Sequence, residues 1–369
     1  MKLRSIKNGT YNILDEDYQR RIRVGLDTAL ARAEERFPPL DLARDRYIIF
    51  SDHHRGTRNR ADDFRRSERA YNAALARYLR TGYTLIILGD AEELWEERAA
   101  PVLKTYEHSI ALEAEFHKQG RYLRFWGNHD DEWRTEAAVN RQLQPLFGGK
   151  PLKVLEGLKI PVVEGDQELG KLFLVHGHQG TAESDRWSGY SRLVVRYIWR
   201  PFQRATGYSL NTPATRWDLR ENHNIAMYTW AASQTKLVLI AGHTHRPVFE
   251  SQSLPAHIKE RLDAIEAQLA ATPNNDELLQ QAGDIAAELE WVRAQENQKP
   301  GSEGDAEGTI PMTKPCYFNT GCCSFLDGDI TGIEIDKGEI RLVRWPDDQE
   351  HPRPQVLEKA LLKRVLARC

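Results

Sequence analysis

The chain has no long apolar run. Across its 369 residues nothing approaches the roughly 18 uninterrupted apolar residues that a membrane-spanning helix needs. The N-terminal MKLRSIKNGTYNILDEDYQRR lacks the apolar core of a secretion signal. These absences predict a soluble, cytoplasmic protein, with any membrane contact peripheral and on the inner face. Cysteine is scarce as well. Cys316, Cys322, Cys323 and Cys369 show no C-x-x-C spacing, which argues against a zinc knuckle or a disulfide framework and leaves buried thiols. Nor is there an excess of charge: 51 basic against 54 acidic side chains leave −3. A nucleic-acid partner is therefore disfavoured unless a local basic patch exists.

What the chain does have is an alternation of short apolar runs and longer amphipathic stretches. A helix around Asp15 to Phe37 precedes the strand RYIIFS; a helix from Ala61 to Tyr78 leads to TLIILG, and another around Val102 to Lys118 leads to RYLRFWG. A helix around Glu132 to Gln144 follows, then the strands LKIPVVEG, KLFLVHG, KLVLIAG, RPVFES and CYFNTG. The hairpin TGIEIDKGEIRLVRW turns at Lys337-Gly338, and QVLEKALLKRVLARC reads as a basic amphipathic helix. This order predicts an α/β core with a partly antiparallel end. The boundaries read as a helical segment over 1–45, a core over 46–250 with an insertion near 187–232, a helical hairpin and flexible linker over 251–313, closing strands over 314–345, and the terminal helix over 346–369.

Two segments interrupt the rhythm. In the first, Arg186, Arg192, Arg196, Arg200 and Arg204 are interleaved with Trp187, Tyr190, Tyr197, Trp199 and Phe202. A helical cap over a site, a membrane or acyl-chain contact, and ordinary helix packing with snorkelling arginines all fit this pattern. The second, His257 to Gln298, is an Ala/Glu/Leu/Gln-rich antiparallel hairpin broken at TPNND, either an oligomerisation arm or a solvated one.

Chemistry gathers at the strand ends. RYIIFS runs into Asp52, His53 and His54, and alternation along a strand would point Asp52 and His54 together and His53 away. A polar strand end entering a loop would look the same. The other ends decide between the two: TLIILG delivers Asp90, RYLRFWG delivers Asn128 and His129, KLFLV delivers His176 and His178, and KLVLIAG delivers His243 and His245. Seven of the twelve histidines thus sit directly after apolar runs, a distribution that favours a metal site over scattered structural histidines.

These residues resemble the ordered signature of the calcineurin-like metallophosphoesterases: D-x-H in Asp52-His53-His54, G-D in Gly89-Asp90, G-N-H-D in Gly127-Asn128-His129-Asp130, a lone histidine at His176, and G-H-x-H in Gly242-His243-Thr244-His245. The resemblance implies a four-layer αββα sandwich of two mixed sheets with helical insertions. It implies one divalent metal on Asp52, His54, Asp90 and His245, a second on Asp90, Asn128, His176 and His243 with Asp90 bridging, and His129 as a non-ligand acid beside the scissile bond. Hydrolysis of a phosphoester or pyrophosphate by in-line attack of a metal-bridging hydroxide would follow. The wording of SDHHRG, LGDAEELWE, GNHDDEW and GHTHRPVF is most similar to UDP-2,3-diacylglucosamine pyrophosphohydrolases, although HGH replaces that branch's usual H-G-D and the long hairpin is additional.

The donor types agree with this on chemical grounds. Imidazole, carboxylate and amide together suit manganese, and after it iron or zinc, better than magnesium or copper(I). Two divalent ions, two carboxylates and a hydroxide leave roughly +1 facing an anionic phosphate, and a third carboxylate in place of Asn128 would cancel it. His178 and Arg55 are candidate phosphate-binding residues, His178 also an alternative to His176 as ligand, while His53 and Asn319 read as structural. The partner expected is a phosphorylated small molecule or lipid-linked nucleotide. A nucleic-acid phosphodiesterase and a non-catalytic scaffold on the same fold are the other two readings, and no ligand position is missing as a scaffold would suggest.

Overall fold

The computed structural model of the protein describes residues 16–35, 37–181, 217–272, 275–297, 312–347 and 352–369. Its strands are β1 Leu40–Asp41, β2 Tyr47–Phe50, β3 Thr84–Leu88, β4 Tyr122–Phe125, β5 Val154–Leu155, β6 Gly157–Glu164, β7 Gln167–Val175, β8 Leu237–Ala241, β9 Pro247–Phe249, β10 Gln252–Ser253, β11 Tyr317–Thr320, β12 Ile330–Asp336, β13 Glu339–Trp345 and β14 Gln355–Leu361. Its helices of seven or more described residues are α1 Glu16–Arg32, α2 Phe64–Arg80, α3 Ala99–Thr105, α4 Glu107–Lys118, α5 Trp217–Ala232, α6 Leu254–Ala271, α7 Asp276–Asn297 and α8 Leu362–Arg368. The strands form two seven-stranded mixed sheets, ordered β1-β6-β7-β8-β11-β9-β10 and β14-β13-β12-β2-β3-β4-β5.

The strands are apolar on both faces because both faces are covered. In β2 and β3, Ile48, Phe50, Leu85 and Ile87 pack under α2 and α4, while Ile49, Ile86 and Leu88 face the other sheet. In β7 and β8, Leu172, Leu174, Val238 and Ile240 fill that same inter-sheet core, and Phe173, Val175, Leu237 and Leu239 pack against α1 and α5. The result is helix, sheet, sheet, helix, the four layers expected. Each such aliphatic side chain contributes about 1.5–3 kcal/mol relative to exposure. α2 shows why the outer helices form, since Ser67, Ala70, Tyr71, Ala74, Leu75 and Tyr78 line one buried face at three- and four-residue spacing.

Three sequence expectations are corrected. QVLEKALLKRVLARC is not one helix: Gln355–Leu361 is strand β14, paired antiparallel with β13, and only Leu362–Arg368 is helical. The apolar spacing there fits either period, and the unpaired edge of β13 selects the strand. Glu132 to Gln144 is not one regular helix: extended Thr135 separates a 3-10 turn, Asp131–Arg134, from a helical run that passes from α geometry at Glu136–Ala138 to π at Val139–Leu143 and 3-10 at Gln144–Phe147. The helix expected over Val102 to Lys118 begins at Ala99 and breaks at Tyr106. The arginine- and aromatic-rich part of the insertion, through residue 216, and the linker over 298–311 lie outside the described residues.

The helical hairpin is present as α6 and α7, with its base fastened to β14: Arg261 donates to Glu358 Oε1 (2.7 Å) and to Leu357 O (3.2 Å). At the other side α1 presses on the loop after β7. A Cβ at Gly25 would stand 2.5 Å from Gly180 N and 2.6 Å from the carbonyl carbon of Gln179. Gly25→Ala gains about 0.5–1 kcal/mol of helix propensity but overpacks backbone against backbone, which costs about 1–3 kcal/mol. The expected outcome is a lowered thermal midpoint. A midpoint equal to or above the parent's would show that α1 does not sit this close.

Candidate metal centre

The parallel strands β2, β3, β4, β7 and β8 end on one side of the molecule, and the loops beyond their C-terminal ends carry the acids and histidines. Alternation along a strand is not what aims them. β2 stops at Phe50, and Asp52, His54, Asp90, His243 and His245 all adopt left-handed backbone, with φ of 54°, 50°, 50°, 70° and 56°. Such conformations are uncommon for residues with a side chain and concentrate at functional sites. Two glycines of the signature are required by close approach: a Cβ at Gly127 would overlap Asp90 Oδ1, and one at Gly242 would overlap Ser51 Oγ and Asp52 Oδ2.

Three groups of donor atoms result among the described residues, the third, His54, Glu93 and His129, sharing His54 with the first. In the first, donor atoms of Asp52, His54 and His245 lie within 4.8 Å of one another, and in the second those of Asp90, His176 and His243 do. His54 Nε2 is 3.0 Å from His245 Nε2, and Asp52 Oδ1 is 3.3 Å from the latter. Asp90 stands between the clusters, its Oδ2 being 3.8 Å from His54 Nε2 and 3.1 Å from His176 Nε2. Asn128 is buried with neither its Oδ1 nor its Nδ2 hydrogen-bonded.

These residues fit divalent cations. His176 Nδ1 donates to Leu88 O (2.8 Å), which turns Nε2 toward the site, and that buried atom has no hydrogen-bond partner. His54 engages Glu93 Oε2 through Nδ1 (3.1 Å) and likewise turns Nε2 inward. The orphaned Asn128 amide is a neutral oxygen donor in the same place. Titration behaviour follows the charge pattern. Burial pushes Asp52 up, but His245 and His176 more than reverse it and hold the carboxyl well below its usual range. Asp90 is lowered in the same way by His176 and His129. Against the cost of burial, Asp90 and Asp52 raise His176 to about 9. A proton on His176 competes for the same nitrogen that a bound cation would take.

Several residues outside the expected ligand set hold the arrangement. Asp130 accepts from Gly127 N (2.6 Å), Ala91 N (2.9 Å) and Asp90 N (3.3 Å), tying two loops; burial and the Asp90 charge lift it to about 7. Glu93 Oε2 receives His129 Nδ1 at 2.7 Å, and Trp95 stacks on that ring at 4.4 Å and 20°. Burial pulls His129 down, but Glu93 and Asp90 outweigh it and leave the imidazole above its ordinary value. The only sequence signal for Glu93 was an acid in the Asp90 loop, DAEELW, with no spacing to mark it. Asn319 donates to Gly242 O (2.6 Å) and Thr244 Oγ1 (3.2 Å), holding the last loop as its structural reading implies.

Of the two histidines in HGH, His176 converges with Asp90 and His243. His178 is buried beside Trp126, with ring centroids 5.0 Å apart, and burial with His176 nearby lowers it to about 3, so it is neutral. His53 points away between Phe64 and Tyr71, as a structural residue does. Arg55 is corrected. It is fully buried against Glu92 and Glu113 and cannot reach a phosphate, because the residue after His54 turns back into the layer under α2. No helix among the described residues is long and apolar enough to cross a membrane. A sequence model described as calcineurin-like phosphoesterase matches residues 46–247, a span that includes every member of both clusters. No curated protein matches the chain.

Proposed function

The chain belongs to the calcineurin-like phosphoesterase family, and from that premise we propose that it is a phosphohydrolase working with two divalent cations, manganese foremost. Asp52, His54, Asp90 and His245 would hold one, and Asp90, Asn128, His176 and His243 the other. One observation carries the two-cation reading: a single carboxylate oxygen, Asp90 Oδ2, faces both histidine clusters. Cations so held would supply Lewis acidity toward phosphoryl oxygens and an activated water.

The chain's own groups do the rest. With Nδ1 on Glu93 and one face against Trp95, His129 presents Nε2 as the atom available to a substrate. Held above its ordinary pKa by Glu93 and Asp90, it keeps its proton to higher pH than a free imidazole and can deliver that proton to the departing oxygen. Asn128 contributes no negative charge, so the pocket stays attractive to an anion.

The finer reading is a pyrophosphate bond in a nucleotide-sugar or lipid-linked nucleotide, supported by the wording of SDHHRG, GNHDDEW and GHTHRPVF. The test is turnover by manganese-supplemented protein on bis(p-nitrophenyl) phosphate, p-nitrophenyl phosphate, acylated and unacylated UDP-sugars, and single-stranded DNA. Hydrolysis of the p-nitrophenyl esters is expected, with the acylated UDP-sugar turned over fastest. Reaction with unacylated monoesters alone removes the lipid-linked substrate, and DNA as the best substrate replaces the reading with a nuclease.

A further inference from the structure

Behind the two clusters lies a closed set of four charges. Arg55, Glu92, Glu113 and Arg124 are each fully buried. Arg55 binds Glu113 through Nη2 and Glu92 through Nη1 (3.4 Å); Arg124 binds Glu92 through Nη2 and Glu113 through Nη1 (3.4 Å). Each arginine thus meets both acids, each acid meets both arginines, and the set is neutral. Tyr71 OH (3.0 Å) and Tyr122 OH (2.7 Å) donate to Glu113, and Trp133 Nε1 (2.8 Å) donates to Glu92.

Stability is a poor reason for such a set. Removing four charges from water carries a desolvation penalty that mutual attraction often fails to recover, and apolar replacements of buried ion pairs are frequently as stable. Its position gives a better one. Arg55 directly follows His54, Glu92 directly precedes Glu93 and lies two residues after Asp90, and Arg124 is four residues before Asn128. Past the end of β2 and β3 the two chains stay in parallel register through these residues: His54 N donates to Asp90 O (3.0 Å), Arg55 N to Ala91 O (3.1 Å) and Glu93 N to Arg55 O (3.0 Å). The left-handed backbone at Asp52, His54 and Asp90 needs an external restraint to persist, and the quartet sits where one is required.

We propose that Arg55, Glu92, Glu113 and Arg124 are positioning residues that lock the Asp52–His54 loop to the Asp90–Glu93 loop, so that the two metal half-sites keep one spacing. The proposal rests on the two-cation reading above. Fork-shaped guanidiniums are suited to this, since each bridges two carboxylates in fixed geometry where an ammonium would not.

The experiment measures manganese affinity and the exchange-coupled electron paramagnetic resonance signal of a Mn(II) pair, on wild type, Glu113→Gln, and the charge-balanced double variant Glu113→Gln with Arg124→Met. None of these substitutions touches a ligand. In the folded variants affinity is expected to fall by about 10- to 100-fold, as for residues that orient ligands from behind, with the coupled signal replaced by uncoupled Mn(II). The single variant leaves a cation in excess and can fail to fold; the double variant then decides. A folded variant with wild-type affinity and coupling overturns the proposal. So does a double variant that does not fold, because the quartet would then belong to the stability of the core. Absence of a coupled pair in the wild type would instead overturn the two-cation reading.

Discussion

Asp90→Ala is expected to remove phosphoesterase turnover by about three decades or more, because on the two-cation proposal it deletes a contact to both cations at once. Each tenfold loss corresponds to about 1.4 kcal/mol of transition-state stabilisation, and removing even one preorganised electrostatic partner costs about 10²–10³ in kcat. Asp90 does more than one such job. Oδ2 faces His54 and His176, while Oδ1 accepts from His129 N at 2.8 Å and so fixes the backbone that carries the acid. Asp90→Asn separates these roles, since it keeps the shape and an oxygen for His129 N but gives up the negative charge. Its turnover should fall between wild type and Asp90→Ala, and metal analysis should find less than two manganese ions per chain in both variants. Full turnover and full metal content in Asp90→Ala would refute the bridging assignment.

The second large effect is expected at His129. His129→Gln should lower kcat on an alkyl-type phosphoester by about 10²–10⁴, the range for loss of a positioned acid, while bound manganese stays at the wild-type level. With p-nitrophenolate as leaving group, which departs without a proton, the loss should shrink below about tenfold. That contrast separates proton donation from structural damage, which would depress both substrates equally. Glu93→Gln supplies the sign. As the proposed proton donor His129 would act in its protonated form, so activity would fall as pH rises through its pKa. Glu93 is the leading group holding that pKa up. Without its charge the alkaline limb should move to lower pH. A limb that stays in place or moves upward would mean that Glu93 does not set the protonation of His129.

The fold was readable where packing repeats itself. Apolar runs such as YIIF, TLIIL and LVLIA contain too little polarity for a half-exposed sheet, and the two-sided burial of β2, β3 and β8 is the reason. It was not readable where one pattern serves two elements. QVLEKAL carries both helix and strand spacing, and what made it a strand was the open edge of β13 more than anything in its own letters. The candidate site was legible where residue type alone is costly to place, as in histidines after buried strands. Glu93 was not, because an acid in a loop is usually solvated, and for Asp130 the signature marked the position but not its role in tying two loops. Arg55 was misread for the same reason: beside His54 it looked poised for phosphate, and only the packing of Glu92, Glu113 and Arg124 around it shows otherwise.

By itself the order of letters determined the candidate donor set, Asp52, His54, Asp90, Asn128, His176, His243 and His245, and the alternation of strands that puts loops at one end. Those are properties of residue type and period, which are local. The tertiary structure alone decided how the donors meet: left-handed backbone instead of strand alternation turns Asp52 and His54 together, Asp90 faces two clusters, and Glu93 grips His129. Distances between residues 191 positions apart, such as His54 and His245, depend on how two sheets stack, and no short-range preference encodes that.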